Sequence, residues 1–119
     1  MSAATMEFAD GEAKITGRLM VHDPAAIITA TGLSPIAGNT FRCVITDTTG
    51  LVAYAVEVDA TRDETNLVAT VDLTLQALID VVENRNIVSV LVAWYDSVDS
   101  IMLGAGKVLV ARAADSTEV

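Results

Sequence analysis

Two long, nearly uncharged runs near the C-terminus, Ile87 to Tyr95 and Ile101 to Ala111, constrain the fold more than any other feature of the chain. Only Asp96-Ser97-Val98-Asp99-Ser100 separates them. Each run is rich in β-branched residues and is bounded by turn formers, so the pair is predicted to be a β-hairpin. Both faces of the first run are apolar. Val88, Val90, Val92 and Trp94 share one face; Ile87, Leu91, Ala93 and Tyr95 share the other. A strand in a two-layer domain needs only one buried face. The second face needs a cover, which a second copy of the chain can supply. Trp94 reads as the core anchor, which turns Tyr95 outward. The expected interface set is therefore Leu91, Ala93 and Tyr95, with Leu103, Ala105 and Leu109 beside them. The opposite assignment, with the Trp94 face outward, fits the alternation nearly as well.

The rest of the chain is punctuated in the same manner. Residues 1–11 read as a flexible leader ending in the turn signal Asp10-Gly11. Ala13, Ile15, Leu19 and Val21 alternate with Glu12, Lys14, Thr16 and Arg18, a half-exposed strand stopped by Asp23-Pro24. A short strand at 26–31 and a loop through Gly32 to Asn39 follow. Phe41, Cys43 and Ile45 alternate with Thr40, Arg42 and Thr46. Asp47-Thr48-Thr49-Gly50 then turns the chain into Leu51–Asp59, where Val52, Tyr54, Val56 and Val58 share a face. A polar loop is read at Ala60 to Thr65, then a strand with Leu67, Ala69, Val71 and Leu73 on one side.

The period changes next. Leu75, Leu78, Ile79 and Val82 fall at helical spacing, which predicts one short helix at about 74–84 with Asp72 or Thr74 as its cap. Residues 113–119 read as a flexible tail. Roughly seven strands with turns every 8–12 residues predict an all-β fold, an antiparallel, Ig-like β-sandwich with one helix, over residues 12–112. The helix between two strands leaves a parallel crossover, and hence an α+β fold, open.

Composition narrows the function classes. The chain carries 7 Lys and Arg against 16 Asp and Glu, a net charge of −9, and its basic residues are scattered. That opposes binding to nucleic acid or to anionic membranes, which need clustered cations. With one cysteine, Cys43, no internal disulfide can form, and a lone thiol within a strand reads as inert and buried. This fits a reducing compartment or a particle assembled inside a cell, and no signal peptide or membrane helix is visible.

No catalytic motif stands out. His22 is the single histidine, near Asp10 and Asp23, and an enzyme built on it is the least favoured reading. Asp96 and Asp99, like Asp59 with Asp63 and Glu64, form acidic loop clusters that do not match a calcium loop; solvated acids are the simpler account. Gly104 and Gly106 lie within a strand, where glycine marks a bulge or a close backbone approach, including approach by a neighbouring chain. No cofactor is expected.

The stretch Asp72-Leu73-Thr74 leading into a helix, followed by an apolar strand ending in Tyr95-Asp96, resembles small β-sandwich modules of bacteriophage virions: tail fibres, baseplates and head decorations. The resemblance covers residues 40–112. It implies a non-enzymatic structural module, assembled in the host cytoplasm into a virion, with a homo-oligomer and other virion proteins as partners. It carries over no catalytic residues. The alternative is an adhesion module binding carbohydrate or calcium through Asp96, Asp99 and Tyr95.

Overall fold

Period-two alternation builds the wall of the domain, and most inward positions of the strands are buried. The computed structural model describes residues 2–9, 12–48, 55–85 and 87–112. Its elements are β1 (Ala3–Ala9), β2 (Glu12–Met20), β3 (Ala26–Thr31), β4 (Phe41–Asp47), β5 (Ala55–Asp63), β6 (Asn66–Val71), α1 (Gln76–Arg85), β7 (Ile87–Asp96) and β8 (Ile101–Ala111). In β3 the buried side is Ala26, Ile28 and Ala30; in β6 it is Leu67, Ala69 and Val71. In β4 it is Phe41, Cys43 and Ile45. The expected strand at 51–59 is described from Ala55 and runs on to Asp63, through residues read as loop. Its first residues, with Val52 and Tyr54, lie outside the described residues, as does the tail at 113–119.

The strands do not form an open sandwich. They close into an eight-stranded barrel in the order β1-β2-β8-β7-β4-β5-β6-β3, with β3 returning to β1. Two features overturn the sandwich. The first is β1 itself. Residues 3–9, read from the sequence as leader, pair antiparallel with β2 along their whole length and parallel with β3 from Ala3↔Ile27 to Glu7↔Thr31. The N-terminal end is tied down by Asp23, whose Oδ2 accepts from the Ser2 backbone N–H and hydroxyl.

The second feature is that β2 and β5 each belong to two sheets. β2 pairs with β1 through residues 12–18 and with β8 through Leu19↔Val110 and Met20↔Ala111. β5 pairs with β4 through residues 55–60 and with β6 through 61–63. A strand that changes sheets makes a corner, and two corners turn two sheets into one closed wall. Gly17, at φ +83°, sits at the β2 corner, where the Ala3 carbonyl oxygen would lie 2.7 Å from any Cβ.

An eight-stranded barrel is just wide enough for its own side chains to fill. Trp94 and Met6 occupy this interior fully shielded, and the indole Nε1–H points at the Met6 sulfur at 3.4 Å. The strand glycines serve that packing. Gly104 faces Trp94 and Gly106 faces Val92 across the β7–β8 ladder. A Cβ at Gly104 would lie 2.7 Å from Leu33 Cδ2, and one at Gly106 would lie 3.0 Å from Met6 Cε. The group approaching these glycines is the chain's own core. The register also slips between Trp94 and Tyr95, so the bulge reading applies as well.

The chain passes from β6 to β7 through α1 at the lower end. Leu78, Ile79 and Val82 join the core cluster, which is what a marginal ten-residue helix requires. The helix begins two residues later than expected. Asp72 binds the Thr74 N–H at 3.0 Å and its hydroxyl at 2.6 Å, an Asx turn ahead of the helix. The upper end carries the loop at 32–40 and the turns at 64–65 and 97–100.

Candidate functional site

Among the described residues, the β7–β8 hairpin and its turn carry most of the exposed large hydrophobic side chains. Its ladder sets Ala93 beside Ala105, Leu91 beside Lys107, and Ser89 beside Leu109. On the other side of β7, the β4 ladder sets Val44 beside Ala93 and Arg42 beside Tyr95. Of the residues expected to share a face, Leu91, Ala93, Tyr95, Ala105 and Leu109 do lie together outside the barrel. They are unequally accessible: Leu109 is 43 % exposed, whereas Ala93, low between larger neighbours, is 6 % exposed. Leu103 separates from the group. Past the bulge it packs against the core and lines a pocket instead.

Met102 (55 % exposed), not singled out from the sequence, extends this surface, as does Ile87, which alternation places on this face but outside the interface set. Ile101 (54 % exposed) pairs with buried Asp96 and stands at the hairpin end on the other side of the strand. The bulge hid Met102. It pairs Tyr95 with Met102 rather than with Leu103, so simple alternation names the wrong residue. The fringe is polar and charged. The Arg42 guanidinium lies 4.9 Å over the Tyr95 ring, and its Nε is 3.8 Å from Glu57 Oε2. A cation over a phenol face holds the ring flat against the wall.

The acidic candidates are used internally. Asp96 is only 3 % exposed although it carries a charge. Its Oδ2 accepts from Asn39 Nδ2 at 2.8 Å and its Oδ1 from the Val98 N–H at 2.9 Å. These bonds, Asn39 first, hold its pKa below the ordinary carboxylate value. Asp96 therefore staples the 32–40 loop to the start of the last turn. Asp99 stays exposed on that turn, and no group of three His, Cys, Asp or Glu able to hold a metal occurs among the described residues.

Asp23 is lowered likewise, first by the Ala25 N–H and then by the Ser2 hydroxyl. Both groups are depressed in the folded state, so the stability they lend is present above their ordinary value of 3.8 and is lost as pH falls through the lowered values. Asp96→Asn and Asp23→Asn are expected to flatten the acid limb of a plot of thermal midpoint against pH. Subtracting the wild-type curve removes the general effect of discharging an acidic chain. Parallel curves would refute the assignment.

The remaining singletons have structural settings. His22 sits half-exposed in the turn after β2 at φ 72°, its Nε2 3.6 Å from Glu83 Oε1, while Arg112 Nε is 3.4 Å from the other Glu83 oxygen. Asp23, its neighbour in sequence, is committed to Ser2 and Ala25, and Asp10 lies outside the described residues. Cys43 is buried, and loss of solvation pushes its thiol up to about 12, which suppresses the reactive thiolate.

Among the described residues, a cleft opens at the upper end beside each corner strand. Between β2 and β8 lies a pocket of about 300 Å³, lined by Phe8, Ala13, Leu33, Leu103 and Gly104 among others. Where β5 leaves β4, a larger cleft of about 520 Å³ is lined by Asn39, Thr40, Phe41, Asp59, Thr61, Arg62 and Ser97 with Ala60. Sequence reasoning found neither, because each depends on where a strand changes pairing partner, which consecutive residues do not encode. Comparison of the chain with protein-family models, with curated proteins and with solved structures finds no match.

Proposed function

We propose that this barrel is a non-enzymatic assembly module that associates with copies of itself through the outer face of the β7–β8 hairpin. One observation carries the reading. Seven large hydrophobic residues are exposed among the described residues, and five of them, Ile87, Val98, Ile101, Met102 and Leu109, belong to this one hairpin and its turn. Scattered exposed apolar residues are ordinary; a set gathered on one hairpin marks a contact surface. The fringe of Arg42, Glu57 and Lys107 gives the surface the polar rim that specific interfaces carry. The setting in a virion or similar particle is supported by the sequence resemblance alone.

Sedimentation equilibrium over a range of loading concentrations tests the proposal. The wild-type chain is expected to associate with a dissociation constant in roughly the micromolar range, as specific contacts of about 1,600 Å² total commonly do. Met102→Lys combined with Leu109→Lys is expected to leave a folded monomer. A wild-type chain that stays monomeric at about millimolar concentration, or a double variant that associates equally well, defeats the reading.

A further inference from the structure

We propose that the cleft between β4 and β5 at the upper end is a binding site for a neutral saccharide. The site exists because β5 changes partners there. Its last ladder pair with β4 is Phe41↔Ala60, and from Thr61 it pairs with β6. The two strands diverge, and the about 520 Å³ between them falls within the range of small-molecule sites.

The walls are held from outside the cleft. Ser97 N–H donates to the Thr40 carbonyl at 2.9 Å, Asp96 grips Asn39, and Arg62 Nε donates to the Pro35 carbonyl at 3.4 Å. The groups facing the space are left uncommitted: among the described residues, no hydrogen bond or ion pair engages the Asp59 carboxylate or the hydroxyls of Thr40, Thr61 and Ser97. Hydroxyls both donate and accept, a carboxylate accepts, and a guanidinium donates. That mixed set matches the vicinal hydroxyls of a sugar, which also do both. Phe41 and Ala60, both buried, close the cleft from the core side.

Other ligand classes fit less well. Asp59 offsets Arg62, and a chain of net charge −9 disfavours an anion. A single carboxylate does not make a hard-cation site. The saccharide reading differs from one built on Asp96 and Tyr95, since Asp96 is spent on Asn39 and Val98 and the Tyr95 ring lies under Arg42. Without an exposed aromatic face to stack on, affinity is modest.

Backbone amide NMR of the full chain tests this. The probes are glucose, galactose, N-acetylglucosamine, maltose and trehalose, with glucuronate and inorganic phosphate as charged arms. At least one neutral sugar is expected to give saturable shifts at residues 39–41, 59–62 and 97, with a dissociation constant of about 1–10 mM. Asp59→Ala and Thr61→Val, both at exposed positions, are each expected to weaken it by about tenfold or more while leaving the rest of the spectrum in place. The proposal is overturned if no neutral sugar saturates the site by about 100 mM. Saturation by phosphate or glucuronate alone, saturable shifts elsewhere on the barrel, or unchanged affinity in both variants would overturn it equally.

Discussion

Trp94→Ala is expected to lose about 3–5 kcal/mol of folding stability, the range seen when a large aromatic is removed from a packed interior. A domain of this kind has about 5–15 kcal/mol in all, so the variant stands near the edge of folding. The reason is position. Trp94 is the largest fully buried side chain and contacts Met6, contributed by a strand 88 residues earlier. Its removal empties the middle of a closed wall that has little freedom to collapse, because every strand is held by two neighbours. Trp94→Phe retains most of the volume and is expected to cost less than half as much. Because Trp94 is the only tryptophan, urea unfolding followed by far-UV circular dichroism is the suitable measurement. A cost under about 1 kcal/mol would show that the indole does not fill the barrel.

The second large effect is expected at Gly32. Gly32→Ala should cost about 3 kcal/mol, and Gly38→Ala only about 1 kcal/mol, although both glycines have positive φ, +85° and +93°. The shared part is the penalty of a side chain in left-handed backbone. The difference is what the new methyl would meet. At Gly38 nothing lies within 4 Å; at Gly32 the Phe8 carbonyl oxygen would be 2.0 Å away. A backbone oxygen cannot rotate aside as a side-chain end can, so β1 itself must move, at the point where it runs alongside β3. Equal costs in paired denaturant titrations would contradict that account.

Much of the wall was legible because local patterns suffice for it. The alternation in 12–21, 26–31, 41–46, 67–71 and both C-terminal runs is written in consecutive residues, and so is the helical spacing of Leu78, Ile79 and Val82; Leu75, read into the same stripe, lies exposed just ahead of the helix. What was not legible is pairing between distant strands. Sandwich and barrel share the same strand grammar; they differ in whether β1 reaches β3 and whether β2 reaches β8, and neither contact leaves a local signature. β1 was also faint in itself. Ala3, Ala4 and Ala9 have weak strand preference, and only Met6 and Phe8 mark its inward side. The same limit governs the candidate surface. Leu91, Ala93 and Tyr95 follow from alternation in one unbroken strand, whereas Leu103, Ile101 and Met102 lie beyond a bulge that shifts the count. The saccharide cleft depends on where β5 changes partners, which no run of neighbouring residues encodes.

The β2–β8 junction has a consequence for how the molecule is made. Leu19 meets Val110, so the cylinder is sealed by residues 91 positions apart. A ribosome delivering this polypeptide completes the first three strands early, yet the seal must wait for β8, the eighth strand of the barrel, to emerge. Until then the growing chain holds greasy, half-finished curvature in the open, and because contacts spanning so much sequence are slow to form, a cell that makes it in quantity has reason to keep a chaperone close by.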